Sequence, residues 1–141
     1  MPWNVVTDGG KRTEREILKF PVGLGAIRSV VIKASSVAAR ATNDPEGFGN
    51  AYDSRNARTL LRGQLLAKDT VDTTKYVPYT GGAQTCAGVL DNDVTFMDAT
   101  AASDEAANMI FFGAIFKASK LIGYTGNETA VKAALTSCRF E

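Results

Sequence analysis

The chain has no histidine, two cysteines, four prolines and a single tryptophan in 141 residues. Without histidine it lacks the commonest general base near neutral pH and the commonest metal ligand. Cys86 and Cys138 stand in no CxxC or other ligand spacing, and neither has a histidine to activate it as a nucleophile. They are expected to be buried free thiols that behave as small hydrophobes, with a disulfide between them left open. Charge of one sign is missing too. Sixteen basic and fifteen acidic residues leave a net charge of +1, whereas a nucleic-acid binder gathers a basic excess on one face. Arg55, Arg58 and Arg62 lie close in sequence, but Asp53 and Asp69 flank them, so a solvated or partner-facing cluster is expected. Long apolar runs are absent: residues 109–112 are among the longest, far short of a membrane span. Asp8, Lys11, Arg12, Glu14, Arg15 and Glu16 interrupt any signal-peptide core. The expectation is synthesis in a reducing cytoplasm, with no membrane and no direct nucleic-acid partner.

What is present suits one domain with a real core: 45% apolar and 22% charged residues. The motifs that carry chemistry fail on inspection. Gly23-Leu24-Gly25-Ala26-Ile27-Arg28 starts like a dinucleotide loop, but Arg28 replaces the third glycine and no strand precedes it. Asp91-Asn92-Asp93 is calcium-like for three residues, yet Phe96 and Ala102 stand where an EF-hand needs Gly and Glu. Ser103 has Asp104 beside it but no nucleophile elbow. The sequence therefore nominates no catalytic, cofactor or metal residue, and an enzyme is not expected.

Residues 1–25 read as an N-terminal arm. Asp8-Gly9-Gly10 is a turn signal, residues 11–16 are almost wholly charged, and Trp3, Val5 and Val6 have too few local partners for a core. Residues 26–141 read as a β-rich domain. Strands are expected at 26–33, 65–68, 75–79, 88–90, 94–97 and 109–117, the last interrupted at Gly113. Pro78 marks an edge or a strand end. Residues 37–58 read as a loop insertion with room for a helical turn at 37–40. The alanine-rich stretch 101–107 has helix propensity and contests the strand that follows. The clearest helix is near the C-terminus. Thr125 and Glu128 have capping-box spacing, and Val131, Ala134, Leu135 and Cys138 form an i, i+3, i+4, i+7 stripe suited to covering a sheet.

Five segments in order resemble a known family: Leu60-Leu61-Arg62-Gly63-Gln64-Leu65-Leu66; Lys75-Tyr76-Val77-Pro78-Tyr79; Gly81 to Leu90; Ile110 to Lys117, similar to a strand–Gly–x–Phe element; and Thr129 to Leu135. Together they resemble the lambda-type bacteriophage head decoration proteins, over residues 60–140. The resemblance implies a mainly β fold with a short C-terminal helix, a compact β-tulip-like domain behind an extended arm. It implies a homotrimeric cement on the outer surface of the virion capsid. Such a trimer binds the major capsid protein at threefold and quasi-threefold positions once the shell has expanded, and resists the pressure of packaged DNA. The arm would order against the shell by strand addition. Ordering ten residues costs about 10–20 kcal/mol of backbone entropy. Ladder hydrogen bonds return only about 0.5–1.5 kcal/mol each, so apolar anchors are needed. Trp3, Val5, Val6, Ile17, Leu18 and Phe20 are the candidates. Another reading is a small β-domain that binds carbohydrate or peptide on a virion surface.

Overall fold

The computed structural model describes residues 16–37, 58–96 and 103–141. Nine strands and one helix follow in chain order among them: β1 (Ile27–Ile32), β2 (Arg58–Leu60), β3 (Leu65–Lys68), β4 (Tyr76–Pro78), β5 (Cys86–Leu90), β6 (Val94–Phe96), β7 (Glu105–Ile110), β8 (Ile115–Phe116), α1 (Glu128–Ala134) and β9 (Arg139–Phe140). The fold is mainly β with one short helix near the C-terminus, as the sequence leads one to expect.

Five strands close a barrel in the order β1-β4-β3-β5-β7. Alternation along each strand sorts its side chains into two cores. Val30, Ile32, Leu66, Tyr76, Leu90, Ala107 and Met109 share one, together with Leu60, Val94 and Phe96 from the small β2–β6 sheet. The opposite faces of β3, β5 and β7 carry Leu65, Ala67, Val89 and Ile110 into the other core. There the C-terminal layer covers them with Phe116, Tyr124, Val131, Leu135 and Cys138. Each fully buried leucine, isoleucine, valine, phenylalanine or methionine among them contributes about 1.5–3 kcal/mol, so both faces of β3 and β5 hold the molecule together.

The C-terminal stripe packs as its spacing requires. Val131, Leu135 and Cys138 are buried and Ala134 lies against the same core. The expected capping box does not form. Gly126 turns back at φ +88° and Asn127 N–H donates to Tyr124 O, which delays the helix to Glu128 and leaves Thr125 in the turn. Glu128 Oε1 accepts from Gly126 N–H instead, at 3.1 Å.

Residues 105–110 also depart from expectation. The strand begins at Glu105, four residues before Met109, and stops at Ile110; Gly113, at φ +68°, separates it from β8. Pairing with β1 along six consecutive residues, from Ile27↔Ile110 to Ile32↔Glu105, outweighs the helix propensity of Ala106 and Ala107. The two ends of the expected insertion at 37–58 belong to the body. Val37 is buried in a core and Arg58–Leu60 is a strand; residues 38–57 lie outside the described residues, and with them most of the expected helical turn.

Two glycines are required by close approach. Gly88 faces the interior, where a Cβ would lie 2.6 Å from both Ile110 O and Met109 Cγ. Gly63, at φ +99°, turns β2 into β3 beneath the loop of Lys120.

Candidate functional site

The described residues hold no group of three or more histidine, cysteine, aspartate or glutamate side chains arranged to hold a metal ion. Cys86 and Cys138 are both free and buried. Burial pushes the Cys86 thiol up to about 11, so it is a poor nucleophile at neutral pH. The Asp91-Asn92-Asp93 triplet is used structurally. Asp91 Oδ1 accepts from the Arg62 guanidinium at 3.0 Å, Asp93 Oδ1 from Arg62 N–H at 2.7 Å, and Asn92 Oδ1 from Asn108 N–H at 3.0 Å. Arg62 is thus committed to this turn, and Asp69, expected beside the arginines, pairs with Lys33 at 3.0 Å. Neither helix of the expected kind nor any other among the described residues is long and apolar enough to cross a membrane. What remains are surfaces.

The six arm residues part company. Trp3, Val5 and Val6 lie outside the described residues. Ile17 is fully buried in the core under the C-terminal layer. Leu18 is half-buried and bridges Phe116 in antiparallel fashion. Lys19 N–H donates to Ile115 O at 2.9 Å and Lys117 N–H to Ile17 O at 2.7 Å, so residues 17–19 form a strand-like edge on β8. Side-chain pairs Glu16–Lys117 and Lys19–Glu141 flank it. The boundary expected at residue 25 is therefore corrected. Residues 16–25 belong to the body, because an isoleucine that fits a preformed apolar seat is held more strongly there than in water. Of the expected anchors only Phe20 remains exposed among the described residues, at 62%.

Phe20 is not isolated. Leu24 is 89% exposed and Phe112 58%. Phe111 N–H donates to Ala26 O, and Lys19 to Ile115, so the loops 20–26 and 111–114 run side by side at one end of the barrel. They form an apolar rim. Arg28 lies over the ring of Phe111, the chain neighbour of Phe112, 4.6 Å from its centroid. Sequence reading missed Leu24, taken as punctuation between two glycines, and Phe112, taken as a core strand residue. The available signal was strand parity: adjacent Phe111 and Phe112 cannot face the same side of one strand.

A charged clasp closes the other end. Lys33 pairs with Asp69, Lys75 with Asp104, and Asp104 Oδ1 also accepts from Ala34 N–H at 2.8 Å. The Lys75 side chain and that backbone bond hold the Asp104 carboxyl below its ordinary range, and Asp104 in turn raises Lys75. The clasp joins the end of β1, the 69–75 hairpin and the start of β7.

The third surface is the outer flank of β1. Ser29, Val31, Ala106 and Asn108 are exposed, and the C-terminal layer does not reach them. A groove of about 330 Å³ runs there between Arg28–Val31 and the wall formed by Lys68, Thr73, Thr74 and Tyr76. Comparison of the whole chain with protein-family models, with curated proteins and with solved structures finds no match in any of the three.

Proposed function

We propose that this chain is a non-enzymatic cement protein, a head decoration protein of a tailed bacteriophage that binds the outside of the expanded capsid as a homotrimer. One observation carries the reading. The five segments that resemble the family, scattered over residues 60–135, all supply buried side chains to a single core: Leu65, Tyr79, Val89, Ile110 with Phe116, and Val131 with Leu135. These segments, which carry the resemblance, are thus the ones that build the layer beneath the C-terminal helix. The barrel under its helical lid serves as the β-tulip-like body of the proposal.

The proposed attachment uses two parts. Residues 1–15, with Trp3, Val5 and Val6, act as the arm that gains structure on the major capsid protein. The rim of Phe20, Leu24 and Phe112 supplies apolar area beside it. Three copies of both on one trimer raise the effective concentration of each further contact after the first.

The test is co-sedimentation of purified protein with expanded and unexpanded heads of the phage that encodes it. Retention on expanded heads alone is the expected result. Failure to bind either, from a protein that is monomeric and instead retained by immobilised glycan or peptide, would overturn the reading in favour of the carbohydrate- or peptide-binding domain.

A further inference from the structure

The barrel is sealed between β1 and β4 by one residue pair, Ile32↔Tyr76, with Lys33 N–H donating to Tyr76 O at 2.9 Å. Pro78 has no N–H and cannot extend that ladder. Toward the other end of β1 the strand continues for five more residues, Ile27 to Val31, while the segment before Tyr76 curls away in the 69–75 hairpin. Backbone groups alternate in direction along a strand. Ala26 O accepts from Phe111 N–H on the β7 side and Lys33 N–H points to β4, so Arg28 and Val30 serve β7. The N–H and C=O of Ser29 and the N–H of Val31 then face the groove, where no described strand meets them. An open strand edge of this kind is a template for another chain.

From this edge we infer that the groove takes residues 3–7 of a second copy, Trp3-Asn4-Val5-Val6-Thr7, as an added antiparallel strand in the free protein. Four of these five residues are tryptophan, valine or threonine, all strong strand formers, and Gly9-Gly10 ends the segment. Its length matches the five residues of β1, Ile27 to Val31, that pair with β7 but meet no described strand on the groove side. Charge matches as well. Arg28 and Lys68 line the groove, and none of its described lining residues is a carboxylate. In antiparallel alignment Asp8 emerges at the Arg28 end. The exchange goes beyond the capsid role: it needs no shell, and it joins copies to one another before any shell is met.

The chain's only tryptophan lies in the proposed strand, so its fluorescence reports the arm alone. The experiment compares the full chain with the same chain lacking residues 1–15, by sedimentation over a range of concentrations, Trp3 emission, and amide exchange at Ser29 and Val31. Expected are self-association of the full chain with blue-shifted Trp3 emission, slow exchange at both amides, and loss of all three on dilution or deletion. Val31→Pro removes one amide and should weaken association about tenfold, the upper range for one hydrogen bond. Arg28→Glu, which leaves the ladder intact, should weaken it in the same direction and covers the case in which the proline variant does not fold. A full chain that stays monomeric overturns the inference, even with both amides protected, since the occupant would then be its own arm. Association with Ser29 and Val31 still exchanging freely overturns it too. Capsid binding is not measured here, so failure of this inference and failure of the cement reading remain distinct.

Discussion

Gly63 and Ile17 touch across the junction between the first described residues and the barrel. A Cβ on Gly63 would lie 3.0 Å from Ile17 Cγ2 and 2.9 Å from Lys120 O. Gly63 N–H donates to Leu90 O and Gly63 O accepts from Ile122 N–H, so the glycine is fixed from three sides. The bare face of this residue is the floor on which Ile17 sits.

Gly63→Ala should therefore destabilise the protein by about 1–3 kcal/mol, from a positive φ and from contact with a backbone oxygen that cannot retreat. Urea unfolding followed by far-UV circular dichroism measures it. A midpoint unchanged from wild type would mean that the turn has slack the structure does not display.

Truncation should divide sharply between residues 15 and 20. Removing residues 1–15 leaves Ile17 in place and is expected to shift the unfolding midpoint little. Removing residues 1–20 strips a fully buried side chain and its β8 pairing, as does Ile17→Ala in part. The point mutant should lose about 2–5 kcal/mol. Equal melting of both truncations would show that Ile17 is dispensable.

The apolar rim should matter for attachment and not for folding. Replacing Phe20, Leu24 and Phe112 together by serine removes side chains that are mostly exposed, so thermal melting should hold. Under the cement proposal each side chain buried on the shell contributes about 1.5–3 kcal/mol, roughly tenfold or more in affinity. Binding of the triple variant to expanded heads at wild-type strength would remove the rim from the mechanism.

The clasp should make stability acid-sensitive. The Asp104 carboxyl is held low by Lys75 and by Ala34 N–H, and Asp69 is held low by the Asp72 N–H and by Lys33. A carboxyl that titrates lower in the folded state stabilises the fold above its unfolded value of about 3.9. That contribution fades as pH falls from there through the lowered folded value. Lys75 is raised, so its share is full below about 10.4 and is lost at still more alkaline pH. As pH is lowered from 6 to 2, the unfolding free energy should fall more steeply for wild type than for Asp104→Asn. Parallel slopes would sink the claim.

Cys86 should resist alkylation at pH 8 in the folded protein and react once the chain is unfolded in denaturant. Burial both raises its thiol to about 11 and blocks access. Mass spectrometry after a brief iodoacetamide pulse reads this directly. Prompt native labelling at Cys86 would contradict its place in the core.

Local pattern made much of this legible. Ile27–Ile32 announces a strand by β-branching, and Val131, Leu135 and Cys138 give a stripe that can only pack one way. The shortest strands were not legible: β2 and β9 are three and two residues long and exist through their partners β6 and β8. The same holds for Glu105–Ile110, whose alanines favour helix until β1 lies alongside.

The sequence alone settled the inventory: no histidine, a near-neutral balance, two cysteines in no ligand spacing, apolar spacing for strands and one lid helix. Those are local quantities, fixed by residue type and period. Tertiary structure alone decided that Ile17 is core while Phe20 is surface, that Arg62 serves the 91–93 turn, and that β1 meets β4 at the single pair Ile32↔Tyr76 among the described residues. Each of these depends on which distant backbone comes to lie beside the residue. Closing a barrel brings together positions that no spacing along the chain relates.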